Sequence, residues 1–325
     1  MATHRLGPTP TTVHWGYLDA KIPPRLTVDS GDTVTVDTVS GGLADVGDTS
    51  IMLPHHREIC EKLKPSPGPH ILTGPIAVRC AEPGDTLEVR IKAIQLTVDW
   101  GWNLIRPLRG TLPEDYPEFR CRVIPIDRKA MTCKLPWGAT IPLRPFFGFL
   151  AVAPPPNYGP CSSVEPREFG GNLDNKEFLV GTSLYLPVFV PGANFSCGDG
   201  HAVQGDGEVC LTALETCLAG TFELVLHKKN LDMPRAVTST HYITMGLDPD
   251  LDDAAKQALR DMIRWLVEMT GWSSEEAYVF CSLACDLRVT QLVDGNKGIH
   301  AMVERTLVRE SEALPTTGFP GTCVG

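Results

Sequence analysis

Clustered positive charge is missing from this sequence. Its 29 Lys and Arg stand against 39 Asp and Glu, a net charge of −10, and no run of basic residues interrupts the balance. Such a chain repels phosphate backbones, which argues against a nucleic-acid partner. Long hydrophobic runs are missing too. The most apolar stretches, such as 179–190, are broken by polar residues or proline, whereas a membrane-spanning helix needs ~20 consecutive apolar residues. The opening MATHRLGPTP contains no apolar segment of the signal-peptide kind, so cytoplasmic residence is the default expectation. No Cys-X-X-Cys pair occurs among the 11 cysteines, whose number is odd and spacing irregular. A disulfide framework and a zinc knuckle are therefore disfavoured, and most thiols are expected to be reduced, buried apolar residues. Familiar catalytic signatures are also absent: no GxSxG, no GxxxxGK[ST], no HExxH and no GxGxxG after a strand.

What remains is a globular chain of 325 residues, 42% hydrophobic, with 30 Gly and 28 Pro. It is long enough for one large domain or two ordinary ones. The first two-thirds reads as β structure, in short alternating or apolar runs punctuated by Gly, Pro and Asp. One internal echo supports this reading. Segments 25–36 and 77–90 each carry a Gly-Asp-Thr turn followed by strict alternation (Val34, Val36; Leu87, Val89), which fits strand–turn–strand units duplicated within a β-sandwich. Further strands are expected at 88–98, 146–153, 183–190, 208–214 and 221–227, with the Pro-rich stretch 153–160 as a loop. From Asp250, Leu251, Ala255, Leu259, Met262, Ile263, Leu266 and Met269 recur at helical spacing up to Gly271. A second helix opens at Ser273, with Glu276 placed for a capping box. Strands at 287–293 and 299–305 follow, joined by a turn at 294–298, and 314–325 reads as an extended arm. The fold class is thus mostly β with α+β character: a β-sandwich part over 1–235 and an α+β part with two helices and a β-hairpin over 236–325.

One segment gathers groups able to do chemistry. Within 195–210 stand Asp199, His201, Asp206 and Glu208, interleaved with Gly198, Gly200, Gly205 and Gly207. Carboxylate oxygens and imidazole nitrogens are the donors that zinc or a similar divalent ion takes, and glycines let the backbone bend so that such side chains converge. A glycine-rich hairpin with solvated acids explains the same composition equally well. Elsewhere, Asn172 and Asp174 sit on a Gly-Gly-Asn turn, itself a common local Asx structure. His70 precedes a strand, where a lone histidine is more often structural. Asp99, Trp100, Trp102 and Asn103 can wall a small polar pocket or belong to the core. Cys161, Cys197 and Cys281 are conceivable nucleophiles, each needing a base that sequence does not locate.

Taken in order, His14-Trp-Gly16, His70-Ile-Leu-Thr-Gly-Pro75, 82–89, Gly170-Gly-Asn-Leu-Asp174, 184–188, the 198–208 string and 293–300 resemble the acetamidase/formamidase family across nearly the whole chain. The 198–208 string is the specific part. The resemblance implies a jelly-roll-like β-sandwich with a C-terminal α+β part, a homo-oligomer, a bound divalent metal (zinc foremost) and hydrolysis of small amides to carboxylate and ammonia, with γ-lactams as an alternative substrate. The segment 106–137 looks like an insertion that can reshape the pocket. On this resemblance His201, Asp199, Asp174 and His70 are expected to hold the metal. Glu208 is expected to act as base, with Asp199 and Glu208 able to exchange roles. Asn172 and Gln204 are expected to hold the amide and Trp100 to close the pocket. A cysteine-dependent amidase and a non-catalytic metal- or ligand-binding sandwich are the competing readings.

Overall fold

The computed structural model describes residues 1–308; the expected arm at 314–325 and Cys323 lie outside the described residues. Two large sheets, of nine and eleven strands, pack face to face. The core between them is drawn from both: Val34, Val36, Leu87, Val89, Leu184 and Phe222 from the first, Leu72, Ile76, Phe147, Phe149 and Phe195 from the second. The sequence patterns behind the two sheets differ. Thr33–Asp37 alternates buried valines with half-buried polar residues, as a strand with one covered face must, whereas Phe146–Ala151 is buried throughout and reads as an unbroken apolar run.

The internal echo has a structural counterpart. Its first strands lie side by side: Leu26–Val28 pairs in parallel with Ile71–Val78, Leu26 opposite Ile76 and Val28 opposite Val78. Its second strands, Thr33–Asp37 and Thr86–Leu96, flank the same strand, Leu218–His227, in the other sheet. Both units therefore cross from one sheet to the other through their Gly-Asp-Thr turns.

The C-terminal elements follow the expected pattern. Asp250 caps helix Leu251–Thr270 by accepting from the amides of Asp252 and Asp253, Gly271 ends it in the left-handed conformation, and the Ser273–Glu276 capping box opens helix Ser274–Ala284. The helices cover a second apolar core built on Met262, Trp265, Leu266, Tyr185 and Ile299. Strand Arg235–Val237 sits in the nine-stranded sheet between Ser183–Pro187 and His241–Asp248, so that sheet runs unbroken across the 235/236 boundary. One expected strand is absent: 208–213 is irregular with a turn at 209–210, and the strand begins only at Leu214–Thr216. No helix of the described residues is long and apolar enough to cross a membrane. The ten cysteines described are all free, six of them buried.

Candidate active site

Strand Phe195–Val203 is the spine of the site. Along one edge it pairs with Phe146–Ala151. Along the other it pairs first with Ile71–Val78, a ladder that ends at Gly198, and then with Leu214–Thr216, a ladder that begins at Gly200. Asp199 falls between the two ladders. The glycines of this segment work differently from the expected bending. A Cβ at Gly198 would press on the Ile71 carbonyl, and one at Gly200 would press on the Thr216 carbonyl, so these two permit close strand approach. The bending lies in the acids themselves. Asp174, Asp199 and Glu208 adopt φ of 48°, 56° and 46°, a left-handed conformation that costs a non-glycine residue of order 1 kcal/mol or more and that persists where surrounding structure enforces it. Gly148 completes the arrangement. Its missing side chain leaves the space that Asp174, Asp199 and His201 fill from three directions.

His201 is at the centre. Its Nε2 lies 3.1 Å from Asp199 Oδ2 and 3.1 Å from Glu215 Oε1, with Asp174 Oδ1 and Glu208 Oε1 each at 3.9 Å. The other ring nitrogen decides the tautomer. The Gln204 amide nitrogen donates to the carbonyl of Asp174 at 2.9 Å, which turns Gln204 Oε1 toward His201 Nδ1 at 3.0 Å. An amide oxygen only accepts, so Nδ1 carries a proton and Nε2 is the atom presented to the carboxylates. His201 Nε2 and both oxygens of Asp174 are buried without a hydrogen-bond partner. Two groupings, Asp199–His201–Glu215 and Asp174–His201–Glu208, bring one ligand atom per residue within 4.8 Å of one another.

Burial and crowding set the electrostatics. Burial, then the neighbouring Asp199 charge, pushes Glu215 up to about 8. Asp174 rises to about 6, again chiefly through burial and with Asp199 adding to it, although His201 works in the opposite direction. Glu208 and Asp294 are both driven well above the usual carboxylate range by burial and by the Asp174 charge. Only Asp199 falls: burial opposes ionisation, but His201 and His70 outweigh it. The imidazole of His201 is held well above its ordinary value, burial notwithstanding, by Glu215 and Asp199. Several buried acids thus compete for one histidine, and the cluster as a whole needs positive charge or protons.

A cavity of about 450 Å³ opens onto this cluster. His70, Asn172, Asp199, Glu208, Glu215 and Asp294 form its polar floor, and Trp15, Ile71, Trp102 and Leu104 its apolar wall. Among the expected residues, Asp199, Glu208, His70 and Asn172 are brought to the cavity, while His201 and Asp174 stand immediately behind its surface. His70 Nδ1 is 2.9 Å from Ser163 Oγ and its Nε2 is 4.0 Å from Asp199 Oδ1, at the margin of the cluster. Gln204, expected at the substrate, has its amide engaged with His201 and the Asp174 carbonyl instead. Trp100, expected to close the pocket, is packed in the apolar cluster with Val39 and Ile59, and Trp102 is the indole that reaches the cavity. Asp206 is exposed and paired with Lys176. From the 106–137 segment only Arg106 and Arg109 reach the cavity, Arg106 bound to Asp45 at 2.6 Å. Two acids escaped the sequence reading. Glu215 sits directly opposite His201 in the strand register, and Asp294 lies in the turn after Cys285–Gln291.

The acetamidase/formamidase family model matches residues 11–158 and 159–303. This chain belongs to the acetamidase/formamidase family. It is 27% identical over 257 residues to a formamidase of Methylophilus methylotrophus, a match covering 59% of this chain and 63% of that protein. The chain spans less than two thirds of the length of the curated relatives it matches. The crystal structure of an acetamidase from Bacillus halodurans resembles it with a TM-score of 0.79 at 30% identity, over 93% of this chain and 98% of that one. A gamma lactamase from Delftia acidovorans reaches a TM-score of 0.59 at 21% identity, over 98% and 97% of the two chains, a likeness of fold alone.

Proposed function

We propose that this member of the acetamidase/formamidase family hydrolyses small amides to carboxylate and ammonia, with a divalent cation, zinc foremost, held at His201. The observation that carries the reading is His201 Nε2, turned by Gln204 toward the carboxylates of Asp199 and Glu215 and left without a hydrogen-bond partner. One imidazole nitrogen with flanking carboxylates suits a catalytic zinc site, and the second-layer Gln204 is the kind of group that orients a metal-bound histidine. Asp199, His201 and Glu215 are the residues that would hold the ion. When bound, the cation supplies Lewis acidity toward an amide carbonyl and a water.

The chain's own residues supply the proton traffic and the positioning. An amide nitrogen leaves poorly unless it is protonated, so hydrolysis needs a group that removes a proton from water and returns it to nitrogen. Glu208 lines the cavity, and burial beside Asp174 gives it an unusually high affinity for that proton. The Asn172 side-chain oxygen is buried and unbonded at the cavity, ready to accept from an amide N–H. Trp102, Trp15 and Leu104 give the cavity its apolar lining. The cavity volume of about 450 Å³ leaves room for amides larger than formamide, cyclic ones included. A cysteine mechanism has little to stand on. Burial pushes the thiols of Cys161 and Cys197 up, which disfavours the thiolate, and no cysteine lines the cavity among the described residues.

The test is ammonia release from formamide, acetamide, larger amides and a γ-lactam, before and after chelation, with zinc added back. Activity that disappears and returns with the ion is expected. Activity untouched by the chelator would overturn the reading and redirect it to the cysteines.

A further inference from the structure

Three short segments, 14–16, 68–70 and 161–163, meet beside the cavity and fix one histidine. The Gly16 carbonyl accepts from the amides of Gly68 at 2.8 Å and Ser163 at 2.9 Å, while the Gly16 amide donates to the His70 carbonyl at 2.8 Å. Gly16 has a φ of 93°, and a Cβ on it would run into the Gly68 backbone, a close approach that only glycine permits. A Cβ on Gly68 would in turn collide with the Ser163 hydroxyl. Ser163, 1% exposed, is thereby held against His70, which lines the cavity.

The hydrogen bonds of Ser163 decide where His70 keeps its proton. Ser163 Oγ lies 3.3 Å from the His70 amide nitrogen and 2.9 Å from His70 Nδ1. A backbone N–H only donates, so Oγ accepts there. The hydroxyl proton then needs an acceptor, and among the described residues Nδ1 is the one in place. A neutral ring that accepts at Nδ1 carries its proton on Nε2, and a charged ring carries one there too. Nε2 lies 4.0 Å from Asp199 Oδ1, outside hydrogen-bond range, and has no hydrogen-bond partner among the described residues. His201 is the opposite case. There Gln204 offers an oxygen to Nδ1, which leaves Nε2 bare for a cation; here Ser163 offers a proton to Nδ1, which leaves Nε2 a donor. We propose, resting on the amide-hydrolysing reading of this site, that His70 is a catalytic hydrogen-bond donor to the amide carbonyl oxygen rather than a metal ligand, with Ser163 the positioning residue that keeps the proton on Nε2.

Negative charge builds on that oxygen as water adds to the carbonyl carbon, so a fixed donor stabilises the transition state more than the bound substrate. The proton stays on Nε2 throughout; the hydrogen bond strengthens and no group is transferred. A primary amide offers an oxygen acceptor and N–H donors, and the cavity answers both. His70 serves the oxygen, and the unbonded Asn172 side-chain oxygen serves the N–H.

The experiment compares the zinc-loaded parent with His70→Ala, His70→Gln, Ser163→Ala and the double variant of His70→Ala with Ser163→Ala. It reads ammonia release from formamide and acetamide, zinc affinity by competition with a coloured chelator, and the ring-nitrogen resonances of isotope-labelled histidine. His70→Ala is expected to lower kcat by about 10²-fold with little change in KM, the cost of one lost oxyanion donor. Its zinc affinity is expected to stay within about threefold of the parent. His70→Gln, whose amide N–H reaches about as far as Nε2, is expected to recover part of the turnover, and it carries the test if the alanine variant does not melt like the parent. Ser163→Ala is expected to lower kcat by about tenfold, the preference that one hydrogen bond supplies. In the His70→Ala background it should add nothing, because it acts only through His70. In the parent at neutral pH, the His70 Nε2 resonance is expected to be of the protonated type. Loss of zinc from His70→Ala would make His70 a ligand and overturn the proposal while leaving the amide reading intact. Unchanged turnover in His70→Ala, an unprotonated Nε2, or the same loss from Ser163→Ala with and without His70 would overturn it as well. A zinc-loaded parent that releases ammonia from no amide would fell the amide reading itself, and the proposal with it.

Discussion

Two clusters of buried acids sit in this molecule, and they are built on opposite plans. Around Glu88, every carboxylate lone pair has a donor: His227 at 2.7 Å, Arg90 at 2.8 and 3.0 Å, Ser183 at 2.8 Å and Tyr185 at 3.3 Å. Burial alone would raise Glu88, yet the hydrogen bonds from His227, Arg90 and Ser183 hold it down at about 2. Around His201, four acids crowd one imidazole, Asp174 has no hydrogen-bond partner at either oxygen, and Glu215 is pushed up to about 8. The carboxylates of both clusters are buried, so burial alone does not distinguish them. Satisfaction does. A saturated carboxylate holds the sheet together, and the unsaturated group is where the proposed cation would be held.

The sharpest way to break this distinction is Glu208→Gln. Catalysis is expected to fall by about 10²–10⁴-fold while the cation is retained and the fold is intact; unchanged turnover would remove Glu208 from the mechanism. Next comes Gly148→Ala, whose added methyl would invade the space held by Asp174, Asp199 and His201. Turnover is expected to drop by about 10²-fold through displacement of these groups, measured with ammonia release alongside a melt to exclude unfolding. Gln204→Ala should act on the ion instead, weakening its binding by about 10- to 100-fold because His201 loses its orienting partner; competition with a coloured chelator reads this directly.

Glu88→Gln tests the other cluster. It is expected to lower unfolding free energy in urea by about 3 kcal/mol, since it disrupts the hydrogen bonds that Glu88 accepts from the buried His227, Ser183 and the half-buried Arg90, with turnover per folded molecule unaffected. The pH dependence of stability should separate the clusters by sign. Glu88 has a folded value near 2 against an ordinary 4.5, so its contribution is complete above 4.5 and is lost as pH falls through 2. Glu215 has a folded value near 8 against the same 4.5, so its protonated form stabilises below 4.5 and that contribution is lost as pH rises through 8. Chelated protein should therefore weaken on both sides, and zinc should remove the alkaline slope while leaving the acid one. An alkaline slope indifferent to zinc would erase the distinction.

Much of this was legible in the residues. The helix from Asp250 to Gly271 carries its own start, stop and apolar stripe, and forms as Leu251–Thr270. Asp199, His201 and Glu208 announced themselves by density of donors in one short string. Glu215 did not, because Ala213-Leu-Glu-Thr-Cys217 reads as an apolar strand, and only pairing across sheets sets Glu215 opposite His201. Asp294 has a sufficient local explanation as a turn residue, which hides its place beside Asp174. Gln204 was visible as a polar residue three positions from His201, but its task depends on two carbonyls, of Asp174 and Thr290, that arrive from elsewhere in the chain. Such long-range register is decided by the fold, and a local pattern does not carry it.

The central claim is that the crowded acids around His201 form a cation site, and calorimetric titration of chelated protein with zinc tests it most directly. Run in two buffers of different ionisation enthalpy, the titration also counts protons. The account predicts a single saturable site at neutral pH, proton release on binding because Glu215 and its neighbours surrender the protons they hold, and loss of the site in His201→Ala. Absence of saturable binding, or binding that survives His201→Ala unchanged, would contradict it.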